Sequence, residues 1–234
     1  MTSTAADVIA RIAAVQERIA IAVERAGRDA GSVTLVGVSK TVGRPEVDAA
    51  YAAGLRHFGE NRVQDAVAKF AGVPNDLVLH LIGSLQTNKV RHAVGRFDLI
   101  HSVDRLSLID ALQARCASEG VVQSILLQVN VAGEDQKHGC APDEAAAHVE
   151  AVLIRPNLEL RGLMTMAPLT TAPEETRPVF AGLRELRDRL QLEYPDAPLN
   201  ELSMGMTNDY EVAVEEGATI VRVGRAIFAP PAGA

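Results

Sequence analysis

The sequence predicts an α/β fold, a single closed (β/α)8 TIM barrel with one additional helix at its amino terminus. Eight short predicted strands, most of them apolar, alternate with segments that show the 3.6-residue periodicity of helices. The connections are short, and no shift in composition marks a linker. Alternating strands and helices favour a parallel sheet, and eight of each favour its closure into a barrel. A doubly wound open sheet is the alternative that this pattern leaves open.

The elements follow from local signals along the chain. Residues 7–28 place apolar side chains at helical spacing, and Gly27 and Gly31 end that helix. We expect residues 1–30 to form a helix packed on the barrel, 31–229 to form the barrel and 230–234 to be a frayed tail. The strands are expected at 33–40, 55–59, 77–83, 98–103, 122–131, 158–166, 199–203 and 219–224. Asp104 is expected to cap a helix to about Ser118, and the segment 142–144, with Asp143, to start the following one.

Composition excludes several classes of function. The net charge of −7, with acidic and basic residues interleaved, argues against a nucleic-acid or membrane surface, and 3% aromatic residues leave few stacking platforms. The two cysteines lack framework spacing, and the amino-terminal helix carries too many charges for a leader or membrane span, so we expect a cytoplasmic protein. The six histidines lack metal-binding spacing, and His80 and His101 are interpreted as core groups.

Lys40 is the first candidate functional residue. It follows the apolar run 33–39, and the chain has only four lysines against 19 arginines. An amine is able to lose its proton and attack a carbonyl, whereas a guanidinium is not. A strand-end lysine that merely extends to water is the competing interpretation, and the stretch alone does not decide between them.

Other polar residues are expected at the same end of the barrel, where active sites of this fold lie. They are Lys40, Asn61, Asn130, Ser203, Arg222 and Gly224. Phosphate sites in this fold lie after strands seven and eight, where backbone N–H groups face an anion. The segment 203–206 offers the Ser203 hydroxyl and Gly205, and the segment 223–226 offers Gly224 and Arg225. A lysine that faces such a phosphate site indicates a bound phosphorylated aldehyde. Pyridoxal 5′-phosphate (PLP), with Arg222 at its ring nitrogen, is the first candidate. The two segments are also compatible with simple turns.

The chain resembles the pyridoxal phosphate homeostasis protein family along nearly its whole length. Six segments in the same order carry this resemblance, at 35–40, 57–64, 80–89, 163–166, 202–209 and 221–228. The resemblance implies a single-domain barrel like the cofactor domain of bacterial alanine racemases, with PLP bound as a Schiff base on Lys40. We also expect no resident metal, a monomer, and apo forms of PLP-dependent enzymes as candidate partners.

Residue roles follow from the resemblance position by position. It places Ser203, Gly224 and the Arg225 backbone on the phosphate side, Arg222 at the ring nitrogen, and Asn61 and Met166 near the ring. Two positions depart from the family pattern. Arg225 stands where the family often has Ser or Thr, and Ala229 with two prolines stands where it usually has Gly and a basic tail. Glu134 and Lys137 match a loop of the family, and we assign them no role in a mechanism.

The resemblance favours a carrier over an enzyme. A racemase needs a second acid on the face opposite the lysine, and in the resembled racemases it is a tyrosine from another domain. Tyr51, Tyr194 and Tyr210 all fall in predicted helices or helix ends. An arginine at the ring nitrogen also weakens the electron sink of the cofactor. We therefore expect a PLP-buffering and delivery protein, with an amino-acid racemase as the alternative and a cofactor-free aldolase using Lys40 as the third hypothesis.

Overall fold

The computed structural model describes residues 4–134 and 138–229; Lys137 and the expected tail 230–234 lie outside the described residues. Eight parallel strands form a closed barrel in sequence order, β1 to β8, and β8 pairs with β1. The prediction of a (β/α)8 barrel is confirmed. The open-sheet alternative is wrong, because an open sheet has two unpaired edge strands, whereas here the first and last strands pair with each other.

The strands are shorter than the apolar runs that predicted them. They are β1 Thr34–Val38, β2 His57–Glu60, β3 Val78–Leu81, β4 Leu99–Val103, β5 Gln123–Gln128, β6 Leu158–Met164, β7 Glu201–Ser203 and β8 Ile220–Val223. Lys40 therefore lies in the turn after β1, and Asn130 lies two residues past β5. Part of the shortening, including residues 39–40, 82–83, 129–131 and 165–166, falls in the loops at the carboxyl end of the barrel, and the rest lies at the amino-terminal ends of the strands.

The helices within the described residues surround the barrel. They are α1 Ala5–Arg25, α2 Arg44–Ala52, α3 Val63–Lys69, α4 Val90–Ala93, α5 Leu106–Glu119, α6 Ala145–Leu153, α7 Arg177–Glu193, α8 Tyr210–Glu215 and α9 Arg225–Phe228. Two 3-10 turns, Thr87–Lys89 and Pro173–Thr176, precede α4 and α7. No helix in the two described ranges is both long and apolar enough to cross a membrane.

Two predicted helix starts are wrong. Arg105 occupies the N-cap position of α5, because the Asp104 carboxylate pairs with the Arg105 guanidinium at 2.5 Å and does not cap the helix. The segment 142–144 forms a turn in which the Glu144 carboxylate accepts from the Ala141 N–H, so α6 begins only at Ala145. In both cases a local side-chain bond competes with the capping bond.

Most strand residues are buried on both faces because the strands separate the barrel interior from the surrounding helices. The larger core lies between the strands and the helices and includes Phe58, Ile100 and Val221. A smaller cluster joins Val36, Leu99, Leu126, Met164 and Ile220, with Met166 packed against it. These residues come from strands that are not all neighbours, so they meet inside the barrel.

Gly162 changes which β6 residues face the barrel interior. The register of β6 against β5 shifts here, and Gly162 has a φ of +151°. A side chain at this position would overlap the Glu201 backbone carbonyl. Leu160, before the shift, belongs to the outer core, whereas Met164, after it, belongs to the inner cluster. The irregularity thus aims Met164 and Met166 towards the interior.

The additional helix α1 packs on the barrel exterior against α2, α8 and α9. Its first turn is closed by a capping box between Thr4 and Asp7. One face of the helix is buried, through Val8, Ile12, Val15, Ile19, Ala22 and Val23. The amphipathic pattern read from the sequence therefore corresponds to a real packing face.

Candidate cofactor-binding site

A pocket of about 480 Å³ opens at the carboxyl end of the strands. Its volume lies in the range of small-molecule sites. Six of the eight residues predicted for cofactor binding line it: Lys40, Asn61, Met166, Arg222, Gly224 and Arg225. A larger groove of about 760 Å³ lies between α1 and the amino-terminal ends of β1 and β2, and it contains none of the predicted site residues. We therefore assign the candidate site to the smaller pocket.

Lys40 presents an accessible amine to this pocket. The residue is exposed, and its ammonium has no hydrogen-bond or ion-pair partner among residues 4–134 and 138–229. Lys69, by contrast, is held at 2.7 Å by Glu60 and at 2.6 Å by the Ser39 carbonyl oxygen. Lys40 is thus able to react with a carbonyl without first breaking an ion pair.

A buried ion pair supports the backbone next to Lys40. Glu60 is fully buried at the end of β2, and its Oε1 accepts from the Ser39 hydroxyl at 2.6 Å as well as from Lys69. The Lys69 ammonium also donates to the Ser39 carbonyl oxygen. Ser39 is therefore held from both its side chain and its backbone, and this fixes the point from which Lys40 extends.

Arg222 supplies a buried positive charge to the pocket wall. Its guanidinium donates to the Ser203 hydroxyl at 2.5 Å and to the Thr165 carbonyl oxygen at 2.9 Å. Since a guanidinium has five N–H groups, others remain for a ligand. Burial lowers the pKa of Arg222 to about 10, and the charge of Asp209 opposes that shift. Arg222 therefore stays protonated at neutral pH.

The loops after β7 and β8 meet at the wall of the pocket, next to β1. Gly224 packs so closely on β1 that an added Cβ would lie 3.2 Å from the Val38 carbonyl oxygen. The Arg225 guanidinium contacts the Asn208 side-chain oxygen at 3.3 Å. The Arg225 and Ala226 N–H groups stand in the first turn of α9, where a helix leaves its donors unpaired. These groups fit the phosphate of the expected cofactor.

The position of Asn61 depends on a neighbouring glycine. Asn61 follows β2 and lines the pocket. An added Cβ at Gly83 would overlap the Asn61 backbone carbonyl, so the loops after β2 and β3 touch there. Met166 lines the same pocket and packs on the apolar cluster inside the barrel.

Ser203 and Gly205 lie beneath the pocket and are not part of its lining. Ser203 is fully buried, and its hydroxyl contacts Arg222 and His101, the latter at 2.9 Å. Gly205 has a φ of +89° and packs on α8, where an added Cβ would meet Ala213 and Tyr210. The structure thus brings Ser203 to Arg222 and places Gly205 behind the loop that follows β7.

Several lining residues were not among the predicted site residues. The segment 206–209 after β7 contributes four of them, and Gln128 at the end of β5 and Ser84 after β3 contribute others. Asp209 is buried and accepts from the Met206 N–H at 2.6 Å, and burial raises its pKa. The signal for these residues was available, because each follows a strand at its carboxyl end.

The comparisons with known proteins agree with this geometry. A family model described as the alanine racemase N-terminal domain matches residues 11–230. A relative from Aquifex aeolicus, named pyridoxal phosphate homeostasis protein, is 48% identical over 93% of this chain and 96% of its own. A relative of the same name from Pseudomonas aeruginosa is 46% identical over 97% of this chain and 95% of its own. This chain belongs to the pyridoxal phosphate homeostasis protein family.

Solved structures of family members have the same fold. PipY from Synechococcus elongatus, determined with PLP bound, has a TM-score of 0.82 and 39% identity, with 94% of this chain and 99% of PipY covered. Alanine racemase from Streptomyces coelicolor has a TM-score of 0.70 at 20% identity, with 92% of this chain and 57% of the racemase covered. At 20% identity the racemase shares the fold alone.

Proposed function

We propose that this protein binds pyridoxal 5′-phosphate as a Schiff base on Lys40 and serves PLP homeostasis by buffering the cofactor and delivering it to apoenzymes. The observation that carries the proposal is that one pocket holds both the Lys40 amine, which has no bonded partner among the described residues, and the buried Arg222 guanidinium. Relatives named pyridoxal phosphate homeostasis protein and PipY, solved with PLP bound, support the same conclusion.

The residues of the pocket match the groups of the cofactor. PLP supplies an aldehyde, a phosphate and a pyridine nitrogen. The Lys40 amine would hold the aldehyde carbon, and the N–H groups of Arg225 and Ala226 beside Gly224 would hold the phosphate. Arg222 would meet the ring nitrogen, with Asn61 and Met166 beside the ring. Ser203 would act on the cofactor through Arg222, since its hydroxyl lies under that guanidinium.

The pocket favours a carrier over a racemase. A cation at the ring nitrogen disfavours its protonation, so the ring withdraws fewer electrons from a bound substrate. None of the three tyrosines, all of which the structure describes, lines the pocket. Tyr51 donates to Asp76, Tyr194 donates to Glu150, and Tyr210 is buried beside α1. All three side chains lie away from the pocket, so they do not supply there the second acid that racemisation requires.

The test of cofactor binding is optical and chemical. Protein incubated with PLP is expected to show a Schiff-base absorption band, and borohydride reduction is expected to fix the cofactor on the peptide that contains Lys40. Lys40→Ala should lose the band, whereas Lys89→Ala, a matched change of a lysine on a surface turn, should keep it. A folded wild-type protein without a band, or a band that survives in Lys40→Ala, contradicts the proposal.

Delivery and catalysis are tested separately. Loaded protein should restore the activity of an apo PLP-dependent enzyme, and reduced, covalently fixed protein should not. Racemisation of L- or D-alanine above the rate of Lys40→Ala would instead support the racemase alternative. We also propose a monomeric, cytoplasmic protein, for which the two free, buried cysteines are suited; size-exclusion chromatography and cell fractionation test these points.

A further inference from the structure

A row of polar side chains runs through the interior of the barrel from the amino-terminal side to the cofactor pocket. It consists of Ser203, His101, His80 and His57, and we call it the histidine row. His57 Nδ1 lies 3.0 Å from His80 Nε2, His80 Nδ1 lies 2.9 Å from His101 Nε2, and His101 Nδ1 lies 2.9 Å from the Ser203 hydroxyl. Because β4 and β7 are not neighbours, the bond between His101 and Ser203 crosses the interior.

The row ends on Arg222, and this fixes the direction of its hydrogen bonds. A guanidinium only donates, so the Ser203 oxygen accepts from Arg222 at 2.5 Å. The other partner of the Ser203 hydroxyl among the described residues is His101 Nδ1, so Ser203 donates to it. A neutral His101 then donates from Nε2 to His80, and His80 donates from Nε2 to His57. The opposite order would leave the buried Ser203 hydroxyl hydrogen without an acceptor in the part of the chain that the structure describes.

The two interior histidines are neutral. Burial lowers the pKa of His80 to about 3, and burial, aided by the charges of neighbouring His80 and Arg222, lowers the pKa of His101 well below its usual value. Burial also lowers the pKa of His57, against the opposing charges of Asp98 and Glu201. His57 is half-buried and borders the groove at the amino-terminal side, so its Nε2 proton has access to water. His80 and His101 therefore each carry one ring proton, and they pass the same bond direction onward to His57.

Arg222 needs such a partner because it lacks a bonded counter-ion. Among the described residues no carboxylate lies within ion-pair distance of it, and the Asp209 carboxylate is bonded to the Met206 N–H. In the histidine row every acceptor atom faces Arg222 and every donor faces away. Bonds aligned in this way strengthen one another by about 10–30% each. A neutral row thus stabilises a buried cation without cancelling its charge.

We propose that His101, His80 and His57 are positioning residues that hold Arg222 charged and in place against the ring nitrogen of the bound cofactor. This inference rests on the proposed function. A carboxylate in the same place would neutralise Arg222 and permit protonation of the ring nitrogen. The histidine row leaves the full positive charge facing the pocket, and therefore it helps to keep the cofactor in a storage state.

The experiment compares variants of the full-length, PLP-loaded protein by the pH midpoint of the Schiff-base absorbance and by the dissociation constant of PLP. His80→Phe breaks the row while filling its space, and His80→Gln retains a donor and an acceptor. His92→Phe, on α4 and outside the row, is the control. Thermal unfolding of each cofactor-free variant verifies that it is folded.

A cation near the cofactor disfavours the protonated Schiff base, so breaking the row should raise the midpoint. We expect His80→Phe to raise it by on the order of half a pH unit and to weaken PLP binding roughly tenfold. His80→Gln should recover most of both changes, and His92→Phe should match wild type. If His80→Phe does not fold, His57→Phe is expected to shift the midpoint in the same direction by less.

Two results would overturn this inference. One is a folded His80→Phe protein, or His57→Phe in its place, with the wild-type midpoint and affinity. The other is a His80→Gln protein as impaired as His80→Phe, which would indicate a packing role alone. A wild-type protein without any Schiff-base band would contradict the proposed function itself, so the two failures are distinguishable.

Discussion

The buried ion pair beneath Lys40 leads to a quantitative prediction for stability. Lys69 and Glu60 are separated by 2.7 Å, and their side chains are only 12% and 1% exposed. Glu60 Oε2 has no hydrogen-bond partner among the described residues. Lys69→Met would therefore leave a buried carboxylate with the Ser39 hydroxyl as its remaining partner. Breaking one side of such a pair costs about 3–5 kcal/mol, or roughly 6–20 °C in Tm for a chain of this size.

The matched variants separate the charge from the packing. Glu60→Gln should cost less, about 1–2 kcal/mol, because the amide oxygen still accepts from Ser39, and Lys69 keeps the Ser39 carbonyl oxygen and some access to water. The double variant Glu60→Gln with Lys69→Met removes both charges, so it should be more stable than Lys69→Met alone.

The assay is urea unfolding at pH 7, followed by circular dichroism, with the slope m compared between variants to establish that each unfolds in the same manner. The double-mutant cycle then reports the coupling free energy. A cost below about 1 kcal/mol for Lys69→Met, or a double variant no more stable than that single variant, would refute the reasoning that an unpaired buried carboxylate dominates the effect.

Three further predictions concern other parts of the molecule. Gly162→Ala should lower the free energy of unfolding by more than about 3 kcal/mol, because the new methyl group overlaps the Glu201 carbonyl. The control Gly72→Ala, with open space around the new methyl group, should lower it by about 1–2 kcal/mol, and thermal unfolding measures both. Burial raises the pKa of the Cys140 thiol to about 12 and that of Cys116 to about 11, so iodoacetamide at pH 8 should leave both unmodified in the folded protein and modify both in urea, as measured by mass spectrometry. The pKa of His80 falls from 6.5 to about 3 on folding, so the unfolded state binds a proton at higher pH than the folded state does. The free energy of unfolding should therefore decrease as the pH falls below 6.5, by roughly 2–3 kcal/mol from His80 between pH 6.5 and 4.5. Urea midpoints across this range should show a shallower slope in His80→Phe, and an unchanged slope would contradict the assigned cause.

The sequence was most informative where one local signal determined the structure. Strands of a parallel barrel are buried on both faces, so most of the eight appeared as largely apolar runs, and counting the predicted strands predicted the barrel. Lys40, Asn61 and Arg222 were placed at the pocket because strand ends converge on one face of this fold. The helix starts predicted at Asp104 and at the segment 142–144 were wrong, because each depended on a competition between a capping bond and another side-chain bond.

The depth of a residue within the barrel could not be predicted from the sequence. Ser203 ends β7, and its position in the sequence is compatible with the pocket or with the layer beneath it. The register of β7 against its neighbours places it in the lower layer, under Arg222. The register shift at Gly162 turns Met164 and Met166 towards the interior, and the alternating pattern of a regular strand does not predict this.

The sequence by itself determined the barrel, the lysine at its carboxyl end and the family to which it is similar, since apolar runs, residue chemistry and ordered motifs are properties of short segments. Only the tertiary structure decided what surrounds Arg222. His101 and Ser203 stand 102 residues apart and on strands that do not pair, and closure of the barrel brings them within hydrogen-bond distance. A buried cation is stabilised by whatever lies around it in space, and that arrangement exists only after all eight strands have closed.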